Sequence, residues 1–118
     1  MIPAGGKAVE GALMIDVYAG GPTEDFALEE AAAFAEAYRR RTRRWPGPLA
    51  AQAHDATVLL ARAVKAAGNR RDQVARALTR TRLSSAVCGP VRIGPGRQVE
   101  RQPLVLRVET GEFTVHEY

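Results

Sequence analysis

The sequence has 118 residues, 46% hydrophobic and 25% charged, which suits one modest folded domain and excludes a disordered tail. No apolar run approaches the ~20 residues that a membrane helix needs. The single cysteine, Cys88, excludes an internal disulfide and a multi-cysteine zinc site, and with His54 and His116 as the only other soft ligands no metal is expected.

The start, Met1 to Gly6, lacks a basic stretch followed by an apolar run, so no signal peptide is expected in it. Net charge is +4, and the cations are arginines apart from Lys7 and Lys65. In so alanine-rich a chain, GC-rich codon usage explains the arginines as well as a functional choice does. Basicity alone therefore assigns no partner.

Taken in chain order, residues 9–18 form a short apolar run between glycines and predict a buried strand, broken by Gly20-Gly21-Pro22. Residues 25 to about 43 are rich in Ala, Glu and Arg and predict a helix with Ala27, Ala31, Phe34, Ala35 and Tyr38 on one face. Acidic residues at its start (Glu24, Asp25, Glu29, Glu30) and arginines at its end complement the helix dipole. Trp45-Pro-Gly-Pro48 stops it.

A second helix is predicted over 49–67, capped by Gly68, with Ala53, Ala56, Leu60, Ala63, Val64 and Ala67 as its apolar stripe and Leu59 at the edge. A third runs from 71 or 72 to 79 with Val74, Ala77 and Leu78 inward. Residues 87–93 predict a short strand before the Gly94-Pro-Gly96 turn. Alternation at Leu104, Leu106, Val108 and then Phe113, Val115 about Thr110-Gly111 predicts a β-hairpin.

The order strand, three helices, strand, hairpin is an α/β arrangement. Its helical block brings no sheet of its own, and one strand near Val87 cannot cover three helices, so the chain reads as part of something larger. Residues Arg39, Arg40, Arg41, Arg43 and Arg44 beside Trp45 could grip phosphates while the indole stacks on a base, which makes a small basic nucleic-acid-binding domain the alternative function. A solvated helix end explains the same cluster through the dipole and is preferred.

His54-Asp55 with Cys88 raises a Cys–His nucleophile. Yet adjacent helical residues point about 100° apart, so Asp55 is poorly placed to orient His54. Ser84-Ser85 lack a Gly-x-Ser-x-Gly context and no glycine-rich phosphate loop is present, so neither an enzyme nor a cofactor is expected.

Six segments in order resemble the type I periplasmic binding proteins, the solute receptors of branched-chain amino acid ABC transporters (the leucine/isoleucine/valine-binding family). They are Gly6-Lys-Ala-Val-Glu-Gly11; the helix with Phe34 and Tyr38; Ala53-His-Asp-Ala56 with Leu59-Leu60-Ala61 and Ala63, ending in Ala67-Gly68; Val74 with Ala77-Leu78; Val87-Cys-Gly-Pro-Val91; and the hairpin around Val105 and Phe113. His54 stands where tyrosine is usual, Cys88 replaces a common threonine, and Gly94 stands where an aspartate usually follows the strand.

The resemblance implies the C-terminal third of a longer two-lobed receptor, a partial fold with its main sheets missing. Residues 1–18 and 104–118 would be second-lobe pieces, 23–98 a first-lobe helical piece, and crossovers would lie near 18–22 and 99–103. It further implies non-catalytic capture of an amino acid or amide by hinge closure, delivery to a membrane ABC permease, and a periplasmic or extracellular parent protein. Asp16 and Tyr18, at a strand end beside a crossover, and Leu49, at a helix start, are the implied ligand contacts. A helical surface without its sheet implies a homo-oligomer or a complex with the missing N-terminal part.

Overall fold

The computed structural model describes residues 5–20 and 29–116. The predicted break at Gly21-Pro22, the helix start at 25–28 and the charges of Glu24 and Asp25 lie outside the described residues. Within them, three helices and two small antiparallel sheets alternate in a mixed α/β architecture.

Of the predicted buried strand over 9–18, only β1 (Leu13–Asp16) is extended, its Leu13, Met14 and Ile15 are exposed because no element among the described residues covers that strand, and Gly6–Val9 form a 3-10 turn instead. Gly11, with φ of +79°, is the residue that lets the chain swing from that turn into the strand. β1 pairs antiparallel with β5 (Leu104–Glu109), Met14 opposite Leu106, and β5 pairs with β6 (Glu112–Val115). Thr110 and Gly111 at the hairpin tip both have positive φ, 53° and 78°, as a type I′ turn requires. The Glu10 carboxylate accepts the Thr110 N–H at 2.7 Å and ties the start of the chain to that tip. Leu106 and Val108 are the buried residues of this sheet, as their alternation predicts.

Helix α1 (Glu29–Thr42) carries the expected face: Ala31 and Ala35 are buried, Phe34 and Tyr38 half-buried. It ends where Arg43 turns left-handed and the Thr42 hydroxyl accepts the Arg44 N–H. Helix α2 (Pro48–Ala67) starts with proline at its first turn, where no N–H is needed, and stops at Gly68 with φ of +76°. Helix α3 (Arg71–Leu78) packs beside α2, its Asp72 holding Arg76 one turn on at 2.7 Å.

Further expectations need correction. The helical block does bring a sheet: β2 (Arg82–Leu83), β3 (Val91–Ile93) and β4 (Val99–Arg101) form an antiparallel meander, with Gly94–Arg97 as the β3–β4 turn. Residues 87–89, predicted as strand, instead lie in a tight turn closed by the Gly89 N–H donating to the Ala86 carbonyl at 3.0 Å.

The apolar stripe of α2 is also displaced. Its buried line is Ala51, Asp55, Leu59 and Ala63, one residue per turn. Of the predicted stripe only Ala63 is buried; Ala53, Ala56, Leu60 and Val64 are exposed and Ala67 is half-buried. The helix is apolar on two sides, and this chain covers one of them.

Two core clusters line the covered side. One holds Tyr18, Ala31, Ala51, Val87 and Cys88 with Val17 and Phe34; the other holds Leu59, Leu83, Ala86 and Val91 with Val58. The radius of gyration is 16.3 Å, against about 13.5 Å for a compact domain of this length. Accessible surface is 8432 Å², about 2,000 Å² more than a compact monomer of 12.8 kDa exposes.

Candidate functional site

The polar centre of the molecule lies on the first half of α2. The Ala86–Gly89 turn directs two successive N–H groups away from any strand partner, and a buried amide without an acceptor is costly. Asp55 supplies the acceptors. Its Oδ1 accepts the Val87 N–H at 2.9 Å and its Oδ2 the Cys88 N–H at 3.0 Å. The side chain is 1% exposed, and its charge is balanced by the Arg101 guanidinium, whose Nη1 lies 3.7 Å from Oδ2. Arg101 comes from the end of β4, so this pair joins α2 to the small sheet. Taking one partner from such a buried pair costs about 3–5 kcal/mol.

Around this pair the aromatics form a chain. Tyr18 meets Phe34 edge-on at 6.4 Å, and Phe34 lies 5.8 Å from Tyr38 and 5.0 Å from the exposed His54 ring. His54 Nδ1 is 3.6 Å from Asp55 Oδ1. Burial pushes the Cys88 thiol up to about 12; the Asp55 carboxylate beside it adds to the rise and Arg101 offsets part of it. Tyr18 is likewise raised to about 12, by burial first and by Cys88 second. A nucleophilic cysteine needs the opposite shift. Asp55 is in turn committed to two amides and a guanidinium, so the constellation is a structural brace and not a Cys–His dyad.

The three expected ligand contacts fall in different settings. Asp16, half-buried at the end of β1, accepts the Val17 N–H at 2.7 Å. Tyr18 is 2% exposed inside the first core cluster, so its ring has no open face. Leu49 stands 83% exposed on the first turn of α2, on the same uncovered side as Leu60 and Val64. Tyr18 and the start of α2 are therefore neighbours, while Leu49 points away from their shared cluster.

A shallow groove of about 270 Å³ runs beside His54 between α1, α2 and the loop at Ser85, where the Ser85 hydroxyl donates to Glu30. That bond holds the exposed Glu30 carboxyl below its ordinary range.

Sequence reasoning missed the two residues that matter most here. From the sequence alone Asp55 has no role beyond a partner for His54 and a member of the Ala53–Ala56 segment, although it stands four residues from both Ala51 and Leu59, a carboxylate on a buried helical line. Arg101 carried no local signal, because its role depends on contacts across 46 positions of sequence, the separation from Asp55.

At the end of α1, Arg39 lies 4.7 Å over the Trp45 ring and 3.8 Å from Glu36, so the indole face proposed for a base is already occupied. Among the described residues, no cluster of His, Cys, Asp and Glu could hold a metal ion, and no helix is long and apolar enough to cross a membrane.

The sequence pattern of the periplasmic binding protein family matches residues 1–112. A leucine-binding protein, LivK, from Thermotoga maritima is similar in structure at 27% identity, with a TM-score of 0.79 over 96% of this chain and 32% of its own. A solute-binding protein of an ABC transporter from R. palustris, solved with benzoate, shares the fold at 23% identity and a TM-score of 0.77, over 95% of this chain and 31% of its own. An ABC transporter substrate-binding protein from Desulfitobacterium hafniense, solved with Leu, does so at 19% identity and 0.75, over 92% and 32%. A search of curated protein sequences finds no significant match. The chain thus spans about a third of the length of the solved structures that it matches. By the match over residues 1–112, the chain belongs to the periplasmic binding protein family.

Proposed function

We propose that this chain works as the C-terminal third of a two-lobed receptor that captures a small polar metabolite, an amino acid or an amide, outside the cytoplasm for an ABC permease. The family match over residues 1–112 carries the reading. Capture proceeds without bond making: ligand bridges the lobes and shifts the population towards the closed form. The raised Cys88 thiol, which leaves no activated nucleophile at that position, agrees with a non-catalytic role.

In this reading residues 1–18 and 104–118 belong to one lobe, 23–98 to the other, and the crossovers fall near 18–22 and 99–103. Leu49 and Asp16 are the ligand contacts to test first. Tyr18 contributes from behind, by holding the crossover in place.

The uncovered side of α2 and the surplus of about 2,000 Å² exceed the roughly 800 Å² that each partner buries in a standard protein interface, which is the scale of an obligate one. A second copy of the chain or a complementary N-terminal chain covers it. Native mass spectrometry of the purified chain tests this. The expected spectrum shows an oligomer or a complementary chain, with or without an amino-acid-sized adduct. A clean, ligand-free monomer overturns the proposal and moves attention to the arginine cluster, where Arg40, Arg41, Arg43 and Arg44 have no acidic partner among the described residues.

A further inference from the structure

The described chain divides into two bodies that share few contacts. One is the sheet of β1, β5 and β6; the other contains the helices and the meander of β2, β3 and β4. Two stretches of chain connect them. The first leaves β1 after Asp16 and reaches α1 at Glu29; the second is Gln102-Pro103, between β4 and β5.

Both stretches are fastened at the same place. Tyr18, two residues beyond β1, is 2% exposed and packs in the cluster of Ala51, Val87 and Cys88. Arg101, the residue before the second stretch, reaches back to the Asp55 carboxylate at 3.7 Å with its side chain only 13% exposed. Asp55 in turn holds the Val87 and Cys88 amides, which form the floor under Tyr18. One carboxylate thus supports the seat of the first connection and binds the last side chain before the second.

We infer that Asp55 is the anchor at which both connections are fastened, which makes it the positioning residue for the angle between the two bodies. Two connections pinned at one point leave a single pivot, whereas two pinned at separate points would hold the bodies rigid or let each swing independently. The chemistry suits a pivot. A carboxylate accepting two fixed amides is immobile, and a guanidinium at ion-pair distance can rotate about it without losing the attraction. The inference rests on the receptor reading only for its use, as the point about which lobes close on a solute. The geometry itself requires no ligand.

The test measures the angle directly. Spin labels at Glu112→Cys on β6 and Ala66→Cys on α2, both exposed positions, report the distance between the bodies in the full chain. Cys88, buried, stays in place. The expected result is one narrow distance distribution in the labelled parent and a shifted or broadened one in Asp55→Asn and Arg101→Met. Leu59→Ala, which empties the other core cluster, leaves the distribution unchanged. Asparagine keeps a single acceptor oxygen, so exchange at the Val87 or Cys88 amide quickens about 10- to 100-fold in Asp55→Asn.

Should Asp55→Asn fail to fold, Arg101→Met carries the same test without uncovering the amides. An unaltered distribution in folded Arg101→Met overturns the inference, as does equal broadening in Leu59→Ala. Solute binding is scored separately, by calorimetric titration of leucine into the chain together with its complementary part. Its absence counts against the receptor reading and leaves the distance result standing.

Discussion

Leu59 and Leu60 are adjacent on α2 and chemically identical, yet the structure gives them opposite roles. Leu59 is 4% exposed against Leu83, Ala86 and Val91; Leu60 is 49% exposed on the uncovered side. Truncating Leu59 to alanine removes three buried carbons and leaves a cavity, which costs about 3 kcal/mol within the 2–5 range of such changes. Truncating Leu60 removes surface that water already reaches, and alanine favours the helix slightly, so the cost stays below about 1 kcal/mol.

With a urea slope near 1.5 kcal/mol per molar, Leu59→Ala lowers the midpoint by about 2 M and Leu60→Ala by less than about 0.7 M. Urea denaturation followed by circular dichroism at two protein concentrations measures both. In a self-associated chain the Leu60→Ala effect grows with concentration, because that side is then buried, while the Leu59→Ala effect does not. Equal costs for the two variants in dilute monomer would refute the assignment of the buried line.

Three further outcomes are expected. The Cys88 thiol and the Tyr18 phenol ionise near 9 and 10 when unfolded but near 12 when folded, so the unfolded chain gives up its protons first. Stability is therefore complete below pH 9 and drains away as pH climbs towards 12; Tyr18→Phe flattens that fall above pH 10 in urea titrations at stepped pH. The same shift leaves far less thiolate at Cys88 than in a free thiol and burial limits its access, so iodoacetamide at pH 8 modifies the folded chain on the order of a hundredfold more slowly than the urea-unfolded one, followed by mass spectrometry. Binding of a DNA duplex through the exposed arginines of α1 is electrostatic only and vanishes at ~0.15 M salt in an anisotropy titration.

Local signals were enough for the elements whose causes are local. The Thr110-Gly111 turn, the cap at Gly68 and the face of α1 follow from residues a few positions apart, and the structure has them where the sequence suggests; Pro48, read as the stop of α1, instead opens α2. The stripe of α2 was misread because periodicity reports that a face is apolar, not which of two apolar faces the chain itself covers. Leu60, Val64 and Ala56 make as good a helical line as Ala51, Leu59 and Ala63, and the deciding contacts come from Leu83 and Val91, far along the chain. Strands β2 and β4 were invisible because two or three residues carry no alternation; their pairing with Val91–Ile93 defines them. Asp55 escaped notice for a related reason. An aspartate in a helix usually faces water, and only the turn at Ala86–Gly89 makes it an acceptor.

Strand β1 has β5 on one side and, among the described strands, nothing on the other. Its outer backbone groups form an open ladder, and Ile15, 73% exposed, offers an incoming strand an apolar greeting on the same edge. Edge-to-edge pairing through this ladder is therefore the expected route of association at high concentration. The β1–β5 ladder uses backbone groups that any side chain leaves intact, so a single Ile15→Lys places a gatekeeper charge on that edge without disturbing the pairing of Ile15 with Val105. The expected outcome of Ile15→Lys is slower growth of light scattering in concentrated solution, and unchanged scattering would place the sticky surface elsewhere.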